Sequence, residues 1–433
     1  MFTVSSLRAN PRWPRRWVPL LALCAAGLNA HAQQALSLDQ ALRLAQDRSR
    51  QLVAQDAAAS AAREMALAAG QLPDPTLTAG LNSLPVNGSD RFSLTADSFT
   101  MLTVGVTQEF TRKDKRQARS ARFEREADAA EAGRAAALAG LRRDTAIAWL
   151  ARHYQERVLE LLRAQRAEAA LQVEAAEAAY RGGRGAQADV FGARSAVAQA
   201  DDRIRQAETQ VALAKTRLAR WVGASAESAL AAPPAMADLG EAAGLETRLA
   251  HHPQVALLQK QEEVAQAEAE IAKSNKHADW SVDLSYSQRG SAYSNFVSLS
   301  VSIPLQWDQA NRQDREVAAK LALAEQFRAQ REEATREHAA DVRAWQQQWQ
   351  SGRERLALYD SALIPLAGER TRAAIAAYRG GGGPLAGVLD ARRMEIETRL
   401  DKLRLELETA SLWAQLEYLV APDREAAAAV KEQ

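Results

Sequence analysis

Apolar positions along this chain follow two periods, and each period occurs twice. From about 115 to 180 there is no proline, and Ile147, Leu150, Tyr154, Val158 and Leu161 fall three or four residues apart. That spacing predicts one helix of about 65 residues, roughly 100 Å long at 1.5 Å per residue. Beyond a glycine cluster the pattern becomes a heptad. Val190, Val197, Ile204, Val211 and Leu218 recur every seventh residue, with Ala193, Ala200, Ala207, Ala214 and Trp221 in the companion positions. Alanine along one seam predicts close approach of the paired helix. The second half repeats the order. A long helix over 313–378 carries Val342, Trp345, Trp349, Leu356, Tyr359, Leu363 and Leu366, with a bend expected at Pro365. A closing helix carries Leu389, Ile396, Leu400, Leu403, Leu407, Ala410 and Ala414.

Ahead of each long helix the period shortens to two. The segment 76–82 alternates, and Leu102, Val104, Val106, Gln108 and Phe110 alternate with Thr103, Gly105, Thr107 and Glu109. In the second half Trp280, Val282, Leu284 and Tyr286 alternate with Ser281, Asp283, Ser285 and Ser287; Val297, Leu299, Val301, Ile303 and Leu305 alternate with serines and Pro304. These are two strand pairs, each strand with one apolar face, joined by polar, turn-rich loops at 83–98 and around Gly290. Single helices are predicted over 37–70, with Leu38, Ala41, Leu42, Ala45, Leu52 and Met65 on a stripe, and over about 246–275.

The turns between the long helices are two copies of one motif. The first is Tyr180-Arg181-Gly182-Gly183-Arg184-Gly185, followed by Asp189-Val190; the second is Tyr378-Arg379-Gly380-Gly381-Gly382-Gly383, followed by Val388-Leu389-Asp390. An offset of 198 separates Tyr180 from Tyr378 and Arg194 from Arg392 alike. Glycine ends helices because it takes positive φ without a Cβ clash. Two tight helical hairpins follow.

Charge and cysteine content narrow the setting. Residues 1–32 hold Arg8, Arg12, Arg15 and Arg16, no acid, an apolar run from Val18 to Leu28, and Ala30-His31-Ala32. That is an export signal with a cleavage site before Gln33, its apolar run being too short to span a bilayer. Removing those four arginines from the 55 basic residues leaves 51 against 54 acids, a net of −3, so no basic surplus remains for nucleic acid. Cys24, the one cysteine, lies inside the signal. It would begin a lipoprotein only if cleavage fell after Leu23, where such signals prefer a small residue.

Catalytic and metal chemistry find no support. Both tips read G-x-G-x-x-A, but a dinucleotide fingerprint follows a strand, and here a long helix precedes each one. His153, His251, His252, His277 and His338 show no ligand spacing, and His251-His252 before Pro253 reads as a solvated turn. Trp345 and Trp349 read as packing. There is no set of nucleophile, base and oxyanion donors, so the expectation is a protein that is not an enzyme, with no cofactor and no metal site. Four strands cannot close a barrel, and open strands in lipid leave unsatisfied edges. They must be shared between chains, unless the sheet is a small water-soluble cap on a coiled coil. Two protomers would give 8 strands and three would give 12.

The order helix, strand pair, long helix, glycine tip and helix, given twice after an export signal, resembles the TolC family of outer-membrane channel proteins over nearly all of 36–420. The resemblance implies a mainly α fold with a β-barrel. Long antiparallel hairpins form a periplasmic tunnel, and four strands per chain close a 12-stranded barrel in a homotrimer. It implies a first repeat at 33–223, an inter-repeat segment at 224–245, a second repeat at 246–420 and a loose tail at 421–433. It further implies an exit duct in the outer membrane for a tripartite efflux system, working with a periplasmic adaptor and an inner-membrane RND pump. Tyr180, Gly182, Gly183, Arg184, Tyr378, Gly380, Gly381 and Gly382 would dock the adaptor, and Asp189 and Asp390 would form the periplasmic gate. Either aspartate could instead be a helix-end charge. A finer likeness, to the CzcC-like heavy-metal branch, rests on Pro73-Asp74-Pro75, Asn82-Ser83-Leu84-Pro85-Val86, Gln108-Glu109-Phe110 and Lys115-Arg116. The chain departs from the family at Gly387, where others carry an acid, and at Gly383, where some carry a gate-locking arginine. Multidrug efflux or type I secretion, and a non-pore periplasmic coiled-coil protein, are the alternatives.

Overall fold

The computed structural model describes residues 35–236 and 252–419. The export signal with Cys24, the inter-repeat residues 237–245, His251 and the tail 421–433 lie outside them. In chain order the elements are α1 (Leu38–Arg48), α2 (Arg50–Ala69), β1 (Thr76–Asn82), β2 (Met101–Phe110), α3 (Lys113–Arg181), α4 (Gln187–Val222), a short 3-10 turn, α5 (Pro253–Ser274), β3 (Trp280–Gln288), β4 (Phe296–Ser302), α6 (Gln313–Leu358), a π turn (Tyr359–Leu363), α7 (Ile364–Arg379) and α8 (Leu385–Glu417).

The strands form one antiparallel sheet in the order β1-β2-β3-β4, so the two strand pairs join through β2 and β3. Helix α3 is the spine. At 69 residues it is about 100 Å long, packing on α2 and α5 toward the sheet and on α4 and α8 toward the tips. Alanine makes the close approach of α3 and α4: Ala193, Ala200, Ala207 and Ala214 are all buried, while Val197, Ile204 and Val211 are half-buried beside them.

Midway along the hairpins lies the main core, drawn chiefly from five helices. Trp149, Leu150 and Tyr154 of α3 meet Leu218 and Val222 of α4, Leu38 and Leu42 of α1, Val342 and Trp349 of α6, and Trp413 and Ala414 of α8. Two polar clasps hold Leu36 and the segment 226–230 there. Leu36 forms a parallel bridge with Leu230, and its carbonyl accepts from Trp149 Nε1 at 3.0 Å. Arg152, buried, donates to the carbonyls of Ala226 (2.6 Å) and Ser228 (2.7 Å). An arginine fork satisfied this way fixes backbone that has no ladder of its own.

Four expectations need correction. The helix over 37–70 is two helices, because Ser49 turns extended (φ −70, ψ 107) and its hydroxyl caps α2 through Leu52 N–H. Met65 is exposed rather than on the buried stripe. The helix over 313–378 is interrupted: Ile364 N–H bonds to Tyr359 O, five residues back, in the π turn just before Pro365. Proline has no N–H and its ring strikes the carbonyl four residues behind it, so the wider turn accommodates it. The fourth strand stops at Ser302, although the alternation runs to Leu305.

Candidate functional site

One face of the sheet is apolar and bare. Across the strands, Leu77 stands opposite Val106, Val106 opposite Leu284, and Leu284 opposite Leu299. The next row is Ala79, Val104, Tyr286 and Val297. These side chains are exposed, Val297 to 73% and Leu299 to 71%. The other face is polar in matching rows: Thr76, Thr107, Asp283 and Ser300, then Thr78, Gly105, Ser285 and Ser298. Thr107 Oγ1 donates to Asp283 Oδ2 at 2.8 Å, and the Thr103 and Ser287 hydroxyls share a hydrogen bond of 2.9 Å. Gly105 lacks a side chain because Thr78 and Ser285 lean over it; a Cβ there would lie 2.9 Å from Ser285 Cβ. An apolar face without a protein partner, backed by a hydrogen-bonded polar face, suits a wall between hydrocarbon and water. The edge strands β1 and β4 are exposed at every residue.

Aromatic side chains mark the end of this wall nearest the helices. Phe110 stacks on Trp280 at 4.4 Å, and Trp307 is 87% exposed. Just behind them lies a polar collar. Lys115 Nζ binds Asp279 Oδ2 at 2.7 Å and the His277 carbonyl at 3.3 Å, with Arg112 N–H on the other carboxylate oxygen. Burial disfavours the Asp279 charge, but these donors outweigh it and hold its pKa below the usual value. Arg116 donates to the Gly70 carbonyl and Gln108 to that of Pro73. The motifs around Pro73, Gln108 and Lys115 thus join sheet to helices.

At the opposite end the two tips are superimposable in their bonding. Gly182, Gly183 and Arg184 N–H groups donate to the carbonyls of Ala178, Tyr180 and Ala179; Gly380, Gly381 and Gly382 donate to those of Ala376, Tyr378 and Ala377. Only Gly183 (φ +69) and Gly381 (φ +75) in these turns need the left-handed region; Gly182 and Gly380 have negative φ. The tips also pack together: Ala176, Val190 and Ala193 of the first contact Leu385 and Val388 of the second, with Tyr378 and Leu389 against them. Tyr180 stays exposed. The tyrosines are therefore alike in sequence and different in setting.

The two aspartates also differ. Asp189 turns its carboxylate back onto Ala186 N–H at 3.2 Å, a local cap on α4. Asp390 binds Arg393 at 2.7 Å and reaches Arg370 of α7 at 3.5 Å. Arg370 and Arg393 were missed in sequence; Arg393 was findable one helical turn from Asp390, whereas Arg370 lies across the hairpin.

His252 is not in a solvated turn. It is half-buried, caps α5 through Gln254 N–H, and stacks on His338 of α6 at 4.2 Å. Burial, then His338 and Arg143, push its pKa down to about 4. Its Nδ1 accepts the Gln254 bond, so the proton of the neutral ring sits on Nε2 and no free lone pair faces out. No metal-holding group of three or more His, Cys, Asp or Glu occurs among the described residues. Among them, too, no helix is long and apolar enough to cross a membrane.

Residues 41–224 match the outer membrane efflux protein family. VceC of Vibrio cholerae, an outer membrane protein, shares the fold with a TM-score of 0.73 and 20% identity over 88% of this chain and 95% of its own. CusC, described through conformational changes accompanying folding and transmembrane channel formation, has a TM-score of 0.74 and 16% identity, covering 88% of this chain and 91% of its own. The open-state MtrE outer membrane channel of Neisseria gonorrhoeae gives 0.68 and 16%, over 88% of each. A comparison with curated proteins finds no match. The resemblance to the TolC-family channels is borne out, while the CzcC-like branch is not distinguished.

Proposed function

We propose that this TolC-like outer membrane efflux protein is the passive exit duct of a tripartite, RND-type efflux system, inserted in the outer membrane and reaching through the periplasm. One observation carries the reading: a sheet with a bare apolar face and two open edges stands on helical hairpins about 100 Å long. Water does not favour such a face on a monomer, and lipid does not tolerate such edges unpaired. Three copies would supply 12 strands to close a barrel, with the polar rows inside.

The tips then point into the periplasm. Tyr180, Gly182, Gly183 and Arg184 of one, with Tyr378, Gly380, Gly381 and Gly382 of the other, would meet the adaptor. Asp390 would line the narrow end. Arg370 takes the part for which Gly383 offers no side chain, locking α7 to α8 through Asp390. Asp189, spent on capping, would contribute charge but little movement.

Heavy-metal cations are the proposed cargo, on the strength of the motifs at 73–75, 82–86, 108–110 and 115–116. Those residues build the collar and the strand ends rather than a cation site, so selectivity would lie in the pump. A deletion strain tests both levels. Restored resistance to metal salts alone supports the metal reading; restored resistance to drugs alone replaces it with multidrug efflux. A mature chain that fractionates with soluble periplasmic protein would remove the channel.

A further inference from the structure

The sheet's two free edges fit each other only in a restricted way. Within the chain, the row at right angles to the strands runs Thr76, Thr107, Asp283, Ser300. Passing from β4 to β1 of a second copy without stagger would return Ser300 to Thr76, and Ser302 to Asp74. A closed barrel needs stagger, because its strands tilt by about 35–45°. The stagger must be even, since a shift of one residue would turn the apolar face inward. With a rise of about 3.3 Å per residue and about 4.8 Å between strands, a stagger of two residues per four strands gives a tilt of about 19°. On the same spacings four residues give about 35° and six give about 46°.

The direction follows from the chain itself. Staggered one way, β1 would lie against 290–296 or 288–294. Those residues form the β3–β4 turn, where Tyr293 N–H donates to the Gly290 carbonyl and Arg289 N–H to the Asn295 side chain. They cannot serve as a strand edge. Staggered the other way, β1 meets 298–304 or 300–306. There the apolar alternation continues past the end of the ladder at Ser302: Ile303 is 57% and Leu305 64% exposed, in step with Leu299 and Val301.

From these constraints, and resting on the trimeric-channel reading above, we infer that Ile303-Pro304-Leu305 is the part of the fourth strand whose partner is another copy. It pairs with β1 of the neighbouring protomer at a stagger of four to six residues. Leu77 then stands across from Ile303 or Leu305 on the lipid side. On the water side, Ser302 faces Thr78 or Gly80. The overrun of the pattern beyond β4 is thus an intersubunit seam.

Cysteine pairs test the seam in full-length protein on a Cys24→Ala background. Within one chain β1 and β4 are three strand spacings apart, about 14 Å, beyond the usual disulfide reach of about 7 Å between Cα atoms. Any bond between them is therefore intermolecular. Ser302→Cys is combined in turn with Thr78→Cys, Gly80→Cys and Asp74→Cys, oxidised in outer membranes and run without reductant. The expected result is a covalent ladder up to three chains for the Thr78 or Gly80 pair, at least fivefold stronger than for the Asp74 pair. A dominant Asp74 pair would overturn the stagger while keeping a ring of copies. No ladder with any pair, in variants that still reach the outer membrane, would overturn the stagger and the shared barrel together.

Discussion

Arg370 and Asp390 stand on opposite helices of the second tip, with guanidinium nitrogen and carboxylate oxygen 3.5 Å apart. Arg393 holds the same carboxylate from one turn along α8 at 2.7 Å. Both arginines and the aspartate are about half exposed. Such pairs contribute at most about 1 kcal/mol. A contact of that size can hold a closed arrangement and still be displaced by a docking partner.

If this pair closes the narrow end, Arg370→Ala and Asp390→Ala should both raise the open probability of single channels in planar bilayers. Only Asp390→Ala should also lower cation selectivity, since it alone removes negative charge. Recordings indistinguishable from wild type for both variants would make Asp390 a helix-end charge.

The tip glycines yield a second expectation. Gly183→Val with Gly381→Val forces β-branched side chains into the left-handed region, at a cost of about 1–2 kcal/mol for each residue. Efflux should be lost in a complementation assay while the trimer remains assembled on mild gels. Full resistance in the double variant would reduce the tips to helix caps.

Loop orientation is open to direct labelling. Cysteines at Ser89 and Ser291 should react with an impermeant thiol reagent on intact cells. A cysteine at Ser351, on exposed α6, should react only after the outer membrane is opened. Protection of both loop positions would invert or remove the membrane wall.

The collar predicts a stability change. Lys115→Met removes the buried ammonium from partly buried Asp279. Loss of one partner from a fully buried pair typically costs about 3–5 kcal/mol, and this pair, reached by some solvent, should lose less. The melting temperature of the protein in detergent should fall. Adding Asp279→Leu should recover most of it, because apolar replacement of a whole buried pair is often neutral.

His252 sets a pH dependence with a definite sign. Its folded pKa, about 4, lies below the ordinary 6.5, so the folded chain binds fewer protons between these values. Its contribution is complete above pH 6.5 and declines as pH falls toward 4. His252→Asn keeps a capping side chain and should flatten the fall in melting temperature between pH 7 and pH 4.5. An unchanged slope would show that the His252–His338 stack does not titrate.

Much of this architecture was legible because its signals are local and periodic. The strand Thr76–Asn82 lies where the alternation places it, and both tips keep their common offset down to individual hydrogen bonds. Interruptions were harder to read. Ser49 caps one helix and begins another, but a serine among charged and amide residues (Gln46 to Gln51) carries no mark of which it will do. Pro365 announced a disturbance but not its form, a π turn whose Asp360 binds Lys402 of the facing helix at 2.6 Å. Leu305 keeps the strand period, whereas the ladder depends on β3, whose pairing with β4 ends at Ser281. Arg370 with Asp390 and His252 with His338 were invisible for one reason: each pair is made by helices packing, and neither residue alone changes the pattern around it.

The bridge between Leu36 and Leu230 also bears on the order of events during synthesis. Leu36 must wait for Ala229 and Ala231, to which its backbone is bonded at 2.7 and 3.2 Å. Trp149 binds the Leu36 carbonyl, which precedes it, but Arg152 is clasped only once Ala226 and Ser228 have arrived. A chain emerging N-terminus first therefore travels through its first two hundred residues with its central core unfinished. Until α6 and α8 bring Val342, Trp349, Trp413 and Ala414, the core begun by α1, α3 and α4 has no closing wall, and a holding chaperone has its longest opportunity there.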